Sequence, residues 1–303
     1  MAGSRLLCVG ALTHDSIYRL SALPTTPGKF IPEEAVQTAA GMASSAATAA
    51  ARQGGAVTLW ASAGDDPIGA ELIAELAAEG IDCSFVRRVP GGRSAIAAIL
   101  VDREGERIIV PYYDPKTQAD PEALPFPMER FDAVLTDVRW PGAAALALSG
   151  GRSAGIPAIL DADVAPRAVL ERLMPLATHI VASKPAAAIW LGNEVGAEAA
   201  ASAIADEFDA LVAVTDGSAG TVWFDRSVGR VRHVPSPKVE AVDTLAAGDV
   251  FHGCFALRVA EGRDVEAAIA HASAAAALKC LRFGGRLGAP TRAETEAFME
   301  ARR

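Results

Sequence analysis

Cysteine is scarce in this 303-residue chain. Cys8, Cys83, Cys254 and Cys280 are scattered, with no C-x-x-C pair. Such spacing supports neither a zinc site nor a disulfide framework; it reads as reduced thiols of a cytoplasmic protein. The five histidines show no H-x-x-x-H spacing, so no residue is assigned as a metal ligand. Positive charge is in deficit: 28 Lys and Arg face 37 Asp and Glu, for a net charge of −9. That balance argues against a nucleic-acid or anionic-membrane binder. It leaves an anionic substrate open, because one site needs only a few local cations. No apolar run is long enough to span a bilayer. The opening "MAGSRLLCVGAL" has too short an apolar stretch and too weak a basic flank for a signal peptide, and reads as a first β-strand. There is no G-x-x-x-x-G-K-[ST], which excludes a P-loop kinase, and no strand-linked G-x-G-x-x-G, which weakens a dehydrogenase reading. Linkers, low-complexity tracts and internal repeats are absent too.

What is there is globular: 51% apolar and 21% charged residues. Buried-strand text ("RLLCVGAL", "AVTLWASAG", "DAVLTDV", "PAILDAD", "THIVAS", "ALVAVTDG") alternates with helical stretches such as "MASSAATAAARQGG" and "DPIGAELIAELAAEG". Strand–helix alternation predicts a parallel sheet covered on both faces. Two extended regions, about 12–38 and 93–113, break the rhythm; the second reads as a hairpin around "DREGE". They are expected to pair as a small sheet beside the main body. A second hairpin is expected from "GTVWFD" and "GRVRHVP", a strand from "KVEAVDT", and two Ala-rich helices near Asp249–Ala260 and Val265–Leu281.

The segment "DTLAAGDVFHG" (243–253) carries the chemistry. Small residues lead into a helix start, where unpaired N–H groups and the positive end of the macrodipole attract an anion. Asp249 falls in the first turn, beside that anion site. A carboxylate there can take a proton from an alcohol while the N–H groups hold the charge of a transferring phosphoryl group. For Gly248-Asp249 alone, a routine turn and helix cap explains the pair as well.

The whole string closely resembles the D-T-x-[AG]-A-G-D-x-F signature of the ribokinase-like (PfkB-type) carbohydrate kinases, at Asp243, Thr244, Ala246, Ala247, Gly248, Asp249 and Phe251. The resemblance extends over essentially the full chain. It implies a single ribokinase-like domain over 1–303, a three-layer α/β/α body with a mostly parallel sheet and a small β-sheet lid. It implies an ATP- and Mg²⁺-dependent sugar kinase, with Asp249 as base and Ala246, Ala247 and Gly248 completing the anion hole. Asp15 matches the family aspartate that binds substrate hydroxyls. Thr215, Gly217 and Gly220 in "VTDGSAG" match the nucleotide segment, and Ser273 falls where many relatives carry an asparagine near the adenine.

Two departures stand out. Many relatives carry Gly-Gly before the substrate helix; here only Gly41 remains, in "TAAGMASS". The family's N-x-x-E is replaced by Ser183 and Ala186, so metal contacts must come from water, phosphate or other residues.

"PTTPGKF", "GERIIVPYYDP", "LTDVRWPG" and "ALKCLRFGGRLG" resemble a narrower branch, the 6-deoxy-6-sulfofructose kinases. Arg139 and Lys29 are the cations expected to meet a substrate oxyanion. That branch has an asparagine where this chain has Pro111, which leaves Tyr112 and Tyr113 as the nearby donors. A sugar phosphate and an uncharged ketose remain alternatives. So do a nucleoside kinase of the same fold and a silent sugar- or nucleotide-binding protein. The amphipathic lid strands imply a homodimer through the lid, as in relatives.

Overall fold

The structure, a computed structural model, describes residues 3–302. Strand β1 (Arg5–Gly10) lies inside a nine-stranded sheet, between β4 (Ala56–Gly64) and β8 (Ala133–Thr136). Beyond β4 comes the three-residue β5 (Arg87–Val89). Beyond β8 come β9 (Ala158–Ala162), β10 (His179–Ser183), β11 (Leu211–Thr215) and the hairpin of β12 (Thr221–Asp225) and β13 (Arg230–Val234). Every pairing is parallel except β11–β12 and β12–β13.

Both faces of this sheet are covered, which is why its strands read as continuous apolar runs. Leu6 and Cys8 of β1 enter one core; Leu7 and Val9 enter the other. The first core holds α1 (Met42–Arg52), α2 (Pro67–Ala78), α7 (Ala247–Ala260) and α8 (Val265–Cys280). The second holds α3 (Pro141–Ser153), α4 (Arg167–Leu173), α5 (Lys184–Leu191) and α6 (Ala197–Glu207). With α9 (Arg292–Glu300), against α8, the described residues contain nine α-helices.

The small residues of α1 have a geometric cause. A Cβ on Gly253 of α7 would collide with the carbonyl of Ala46. The two helices therefore approach backbone to backbone.

The expected second sheet forms, in the order β3 (Glu34–Ala40), β2 (Thr13–Arg19), β6 (Ala95–Val101), β7 (Arg107–Tyr112). Its register aligns Thr38, Asp15, Ala97 and Pro111 across one face. The opposite face carries the pairs Ile96–Tyr112, Ala98–Val110 and Leu100–Ile108. Of these, Ile96, Ile108, Val110 and Tyr112 are exposed. Pro111 is tolerated because β7 is an edge strand.

The expected strand at "KVEAVDT" does not form. The N–H groups of Val242 and Asp243 donate instead to the carbonyl of Cys280, docking the segment on the end of α8. Strand β5 was not anticipated; three half-exposed residues give no alternation to read.

Candidate active site

Four parallel strands end on one crest of the main sheet: β8 at Thr136, β9 at Ala162, β10 at Ser183 and β11 at Thr215. Open α/β sheets place ligands outside such strand ends. Here the crest and the inner face of the small sheet enclose a cavity of about 650 Å³. Asp15, Gly41, Arg139, Ala246, Gly248 and Asp249 all line it. A second cavity of about 750 Å³ adjoins it, lined by Thr215, Gly217, Gly220, Ala247 and Ser273. The predicted residues thus fall into two neighbouring chambers, with one exception. Lys29 lies exposed between β2 and β3 and lines neither.

The anion loop has the required backbone. Ala246 takes a left-handed conformation (φ 62°), the one positive φ of a non-glycine among the described residues. Helix α7 starts at Ala247, whose N–H donates to Thr244. The next two N–H groups, of Gly248 and Asp249, donate to no backbone carbonyl among the described residues. A Cβ on Gly248 would meet nothing within 4 Å. Its backbone does not demand glycine, so the missing side chain keeps the cavity open.

Asp249 is half-buried in the first turn of α7. Desolvation, and then the charge of Asp161, hold its pKa well above the ordinary carboxylate value, while His252 opposes the rise. Asp161 is itself raised well above the ordinary value, by burial first and by Asp163 second. A carboxylate of raised proton affinity at a cavity wall suits general-base work.

On the small sheet, the Thr13 hydroxyl donates to Asp15 Oδ1 at 2.6 Å. Burial raises the Asp15 pKa, and this hydrogen bond opposes it. Tyr113 also faces the cavity, its pKa pushed up to about 12 by burial. Tyr112 points to the outer face, where Arg93 stacks over it. Of the two tyrosines beside Pro111, only Tyr113 can therefore serve this cavity.

Gly41 precedes α1 at φ 103°, and a Cβ there would sit 2.6 Å from the Ala11 carbonyl. The neighbouring Ala40 ends an ordinary strand. The retained glycine is thus the one the backbone needs, and the lost one is replaceable.

Asp137, unnoticed in the sequence, caps this corner from across the sheet. Its Oδ2 accepts from Ala11 N (2.8 Å) and Ala43 N (3.0 Å), and its Oδ1 from Arg139 N (2.8 Å). The Arg139 guanidinium reaches Asp163 (3.4 Å) and the Val164 carbonyl (2.9 Å). Ser183, at the place of the missing asparagine, donates to Asp163 at 3.0 Å. Asp161 and Asp163 were also missed. Their signal was present in "ILDAD": carboxylates at the C-terminal end of a buried parallel strand.

The second cavity has no acidic side chain in its lining and carries Arg107 and Lys238, neither of which forms an ion pair among the described residues. In a chain of net charge −9, that marks a place for a polyanion. Gly220 (φ 106°) leaves no room for a Cβ against the Val234 carbonyl. Ser273 is buried on α8 in the lining of this cavity, and its hydroxyl has no hydrogen-bond partner among the described residues.

Residues 4–292 match the pfkB family of carbohydrate kinases. A ribokinase of Bacillus subtilis (strain 168) is 30% identical, over 97% of this chain and 99% of its own length. An ATP-dependent ribose-1-phosphate kinase of Halopiger xanaduensis is 30% identical, over 98% of this chain and 99% of its own. A solved structure from Agrobacterium tumefaciens, provisionally named a ribokinase, is 47% identical with a TM-score of 0.95, covering 99% of each chain. The chain belongs to the pfkB family: it has the ribokinase fold and is an ATP-dependent phosphotransferase with a hydroxyl acceptor.

Proposed function

We propose that this enzyme phosphorylates a hydroxyl of an anionic sugar, with a ketose such as 6-deoxy-6-sulfofructose as the leading candidate. The observation that carries the reading is the shared cavity: Asp249, Asp15 and the Arg139 guanidinium all face one chamber. In this reading Asp15 accepts from sugar hydroxyls and Arg139 holds the substrate's negative group. Asp249 removes the proton of the attacking hydroxyl. The free N–H groups of Gly248 and Asp249, at the positive end of α7, hold the charge of the moving phosphoryl group. Tyr113 supplies a donor beside Pro111. Lys29 joins the substrate only if the loop between β2 and β3 closes inward.

ATP occupies the second cavity, with Thr215, Gly217, Gly220 and Ser273 at its wall. Mg²⁺ is the expected companion of ATP, and it favours hard oxygen ligands while keeping several waters. Asp161 and Asp163, which line the first cavity, offer such oxygens where the family's N-x-x-E pair is missing. When bound, the ion neutralises phosphate charge.

The whole chain acts as one kinase domain in this reading, with the small sheet as its lid. The exposed apolar face of that sheet supports a homodimer through it.

ADP release from MgATP tests the proposal, across sulfofructose, fructose 6-phosphate, fructose, ribose, 2-keto-3-deoxygluconate and adenosine. Strong turnover with an anionic ketose, lost in Asp249→Asn, is the expected result. Preference for adenosine would establish a nucleoside kinase instead. ATP binding with no turnover on any of these acceptors would place the substrate outside the panel and remove the anionic ketose as the leading candidate.

A further inference from the structure

Lys279 lies in the last turn of α8 with its side chain fully buried. Its Nζ donates to the main-chain carbonyl of Asp243 at 2.7 Å and sits 3.0 Å from Oδ2 of the same residue. A buried ammonium is stable only where oxygens replace its water. Both oxygens here come from the first residue of the anion-loop motif.

Asp243, also fully buried, uses its remaining capacity on backbone. Oδ1 accepts from Leu245 N at 2.8 Å, and Oδ2 from Gly284 N and Gly285 N at 3.0 Å each. The pair thus joins three segments: the end of α8, the Gly284–Gly285 turn and the main chain entering the anion loop. Three residues beyond Asp243 comes Ala246, in the left-handed conformation that alanine disfavours. Such a conformation persists only when its surroundings over-determine it.

We propose that the Lys279 ammonium is a tethered monovalent cation that holds the anion loop in its working shape. Lys279 is a positioning residue: it touches Asp243, and Asp243 sets the backbone that leads to the N–H groups of Gly248 and Asp249. A carbonyl and a carboxylate oxygen are donors that a dissolved ammonium or potassium ion also accepts. Because the chain supplies its own cation, the wild-type enzyme needs none from solution. Truncating the lysine leaves an anionic hole of ammonium size.

The experiment compares wild type, Lys279→Ala and Lys279→Met in tetramethylammonium, ammonium and potassium salts, by melting temperature and by steady-state kinetics. Wild type is expected to keep its Tm, and its turnover within about twofold, in all three salts. Lys279→Ala should lose about tenfold or more in kcat, with the KM for ATP nearly unchanged. Ammonium or potassium should restore part of that kcat and raise the variant's Tm, while tetramethylammonium, too large for the hole, should do neither. Lys279→Met fills the hole and should not respond.

Activation of the wild type by potassium over tetramethylammonium would overturn the proposal. So would a folded Lys279→Ala that keeps wild-type kcat, or one that no small cation rescues. If the variants fail to fold, the wild-type comparison still decides. The Tm response needs no sugar, so it stands or falls separately from the substrate reading.

Discussion

The carboxylate of Asp161 lies 3.2 Å from Nδ1 of His252. The same nitrogen is 2.7 Å from the Gly248 carbonyl, and Nε2 of the ring is 3.3 Å from the Val181 carbonyl. His252 therefore links the first turn of α7 to β9 and β10. Asp161 in turn is the leading charge that raises the proton affinity of Asp249, behind burial itself.

A pH profile follows from that pair. Asp249 must be ionised to accept a proton, and its folded pKa is raised. Activity should thus rise with pH along a limb displaced above the ordinary carboxylate range. In Asp161→Asn the like charge is gone, Asp249 ionises more readily, and the limb in kcat/KM should move to lower pH. A limb that stays in place would show that Asp161 does not tune the base.

Two glycines of the site should separate stability from activity. Gly248→Ala puts a methyl into open cavity, so the melting temperature should hold while kcat falls by about tenfold or more. Gly41→Ala meets both a positive φ and the Ala11 carbonyl, so it should cost about 1–3 kcal/mol of stability. Denaturant titration of both variants, beside their kinetics, checks the contrast.

Arg139→Met should raise KM for an anionic acceptor by about tenfold or more while leaving that for ATP nearly unchanged. Arg139→Lys should recover only part of the loss, because a point charge cannot reproduce a fork. Equal effects on charged and neutral sugars would remove Arg139 as the anion contact.

Acid should weaken the fold through two buried histidines. Burial lowers the pKa of His179 to about 4, and burial with the Arg258 charge lowers that of His271 to about 4. Unfolded histidine titrates near 6.5. Between those values the unfolded chain binds protons that the folded chain refuses. The stability from both groups is complete above pH 6.5 and is lost as pH falls towards 4, at up to about 1.4 kcal/mol per pH unit per histidine. Urea unfolding of wild type and His271→Gln across that range should show a shallower slope in the variant.

The layered body was readable because buried parallel strands are apolar on both faces and their covering helices are not. The hairpin at "DREGE" was readable because its turn is short and polar, and Asp102 caps it by accepting from Glu104 N and Glu106 N. The turn into α7 was readable because a run of small residues ends where an apolar helical pattern begins. "KVEAVDT" misled because β-like alternation is also what a chain needs when it docks along a helix end. Lys29 stands apart because residue type carries no address: the loop that holds it lines neither cavity. Asp137 and Lys279 were hidden for a different reason. Each acts on residues far away in the chain, and single-sequence spacing is blind to such partners.

The two cavities share Arg107, Thr215, Thr244 and Gly248 in their linings. With the proposed occupants, any change in those four residues alters the donor and the acceptor sides together, so drift toward a new sugar would be constrained there by the need to keep the nucleotide. Asp15, Ala97, Pro111 and Arg139 line only the first cavity. Diversification of this scaffold, natural or engineered, has its freedom on the small sheet and at the end of β8, and a directed library belongs at those positions.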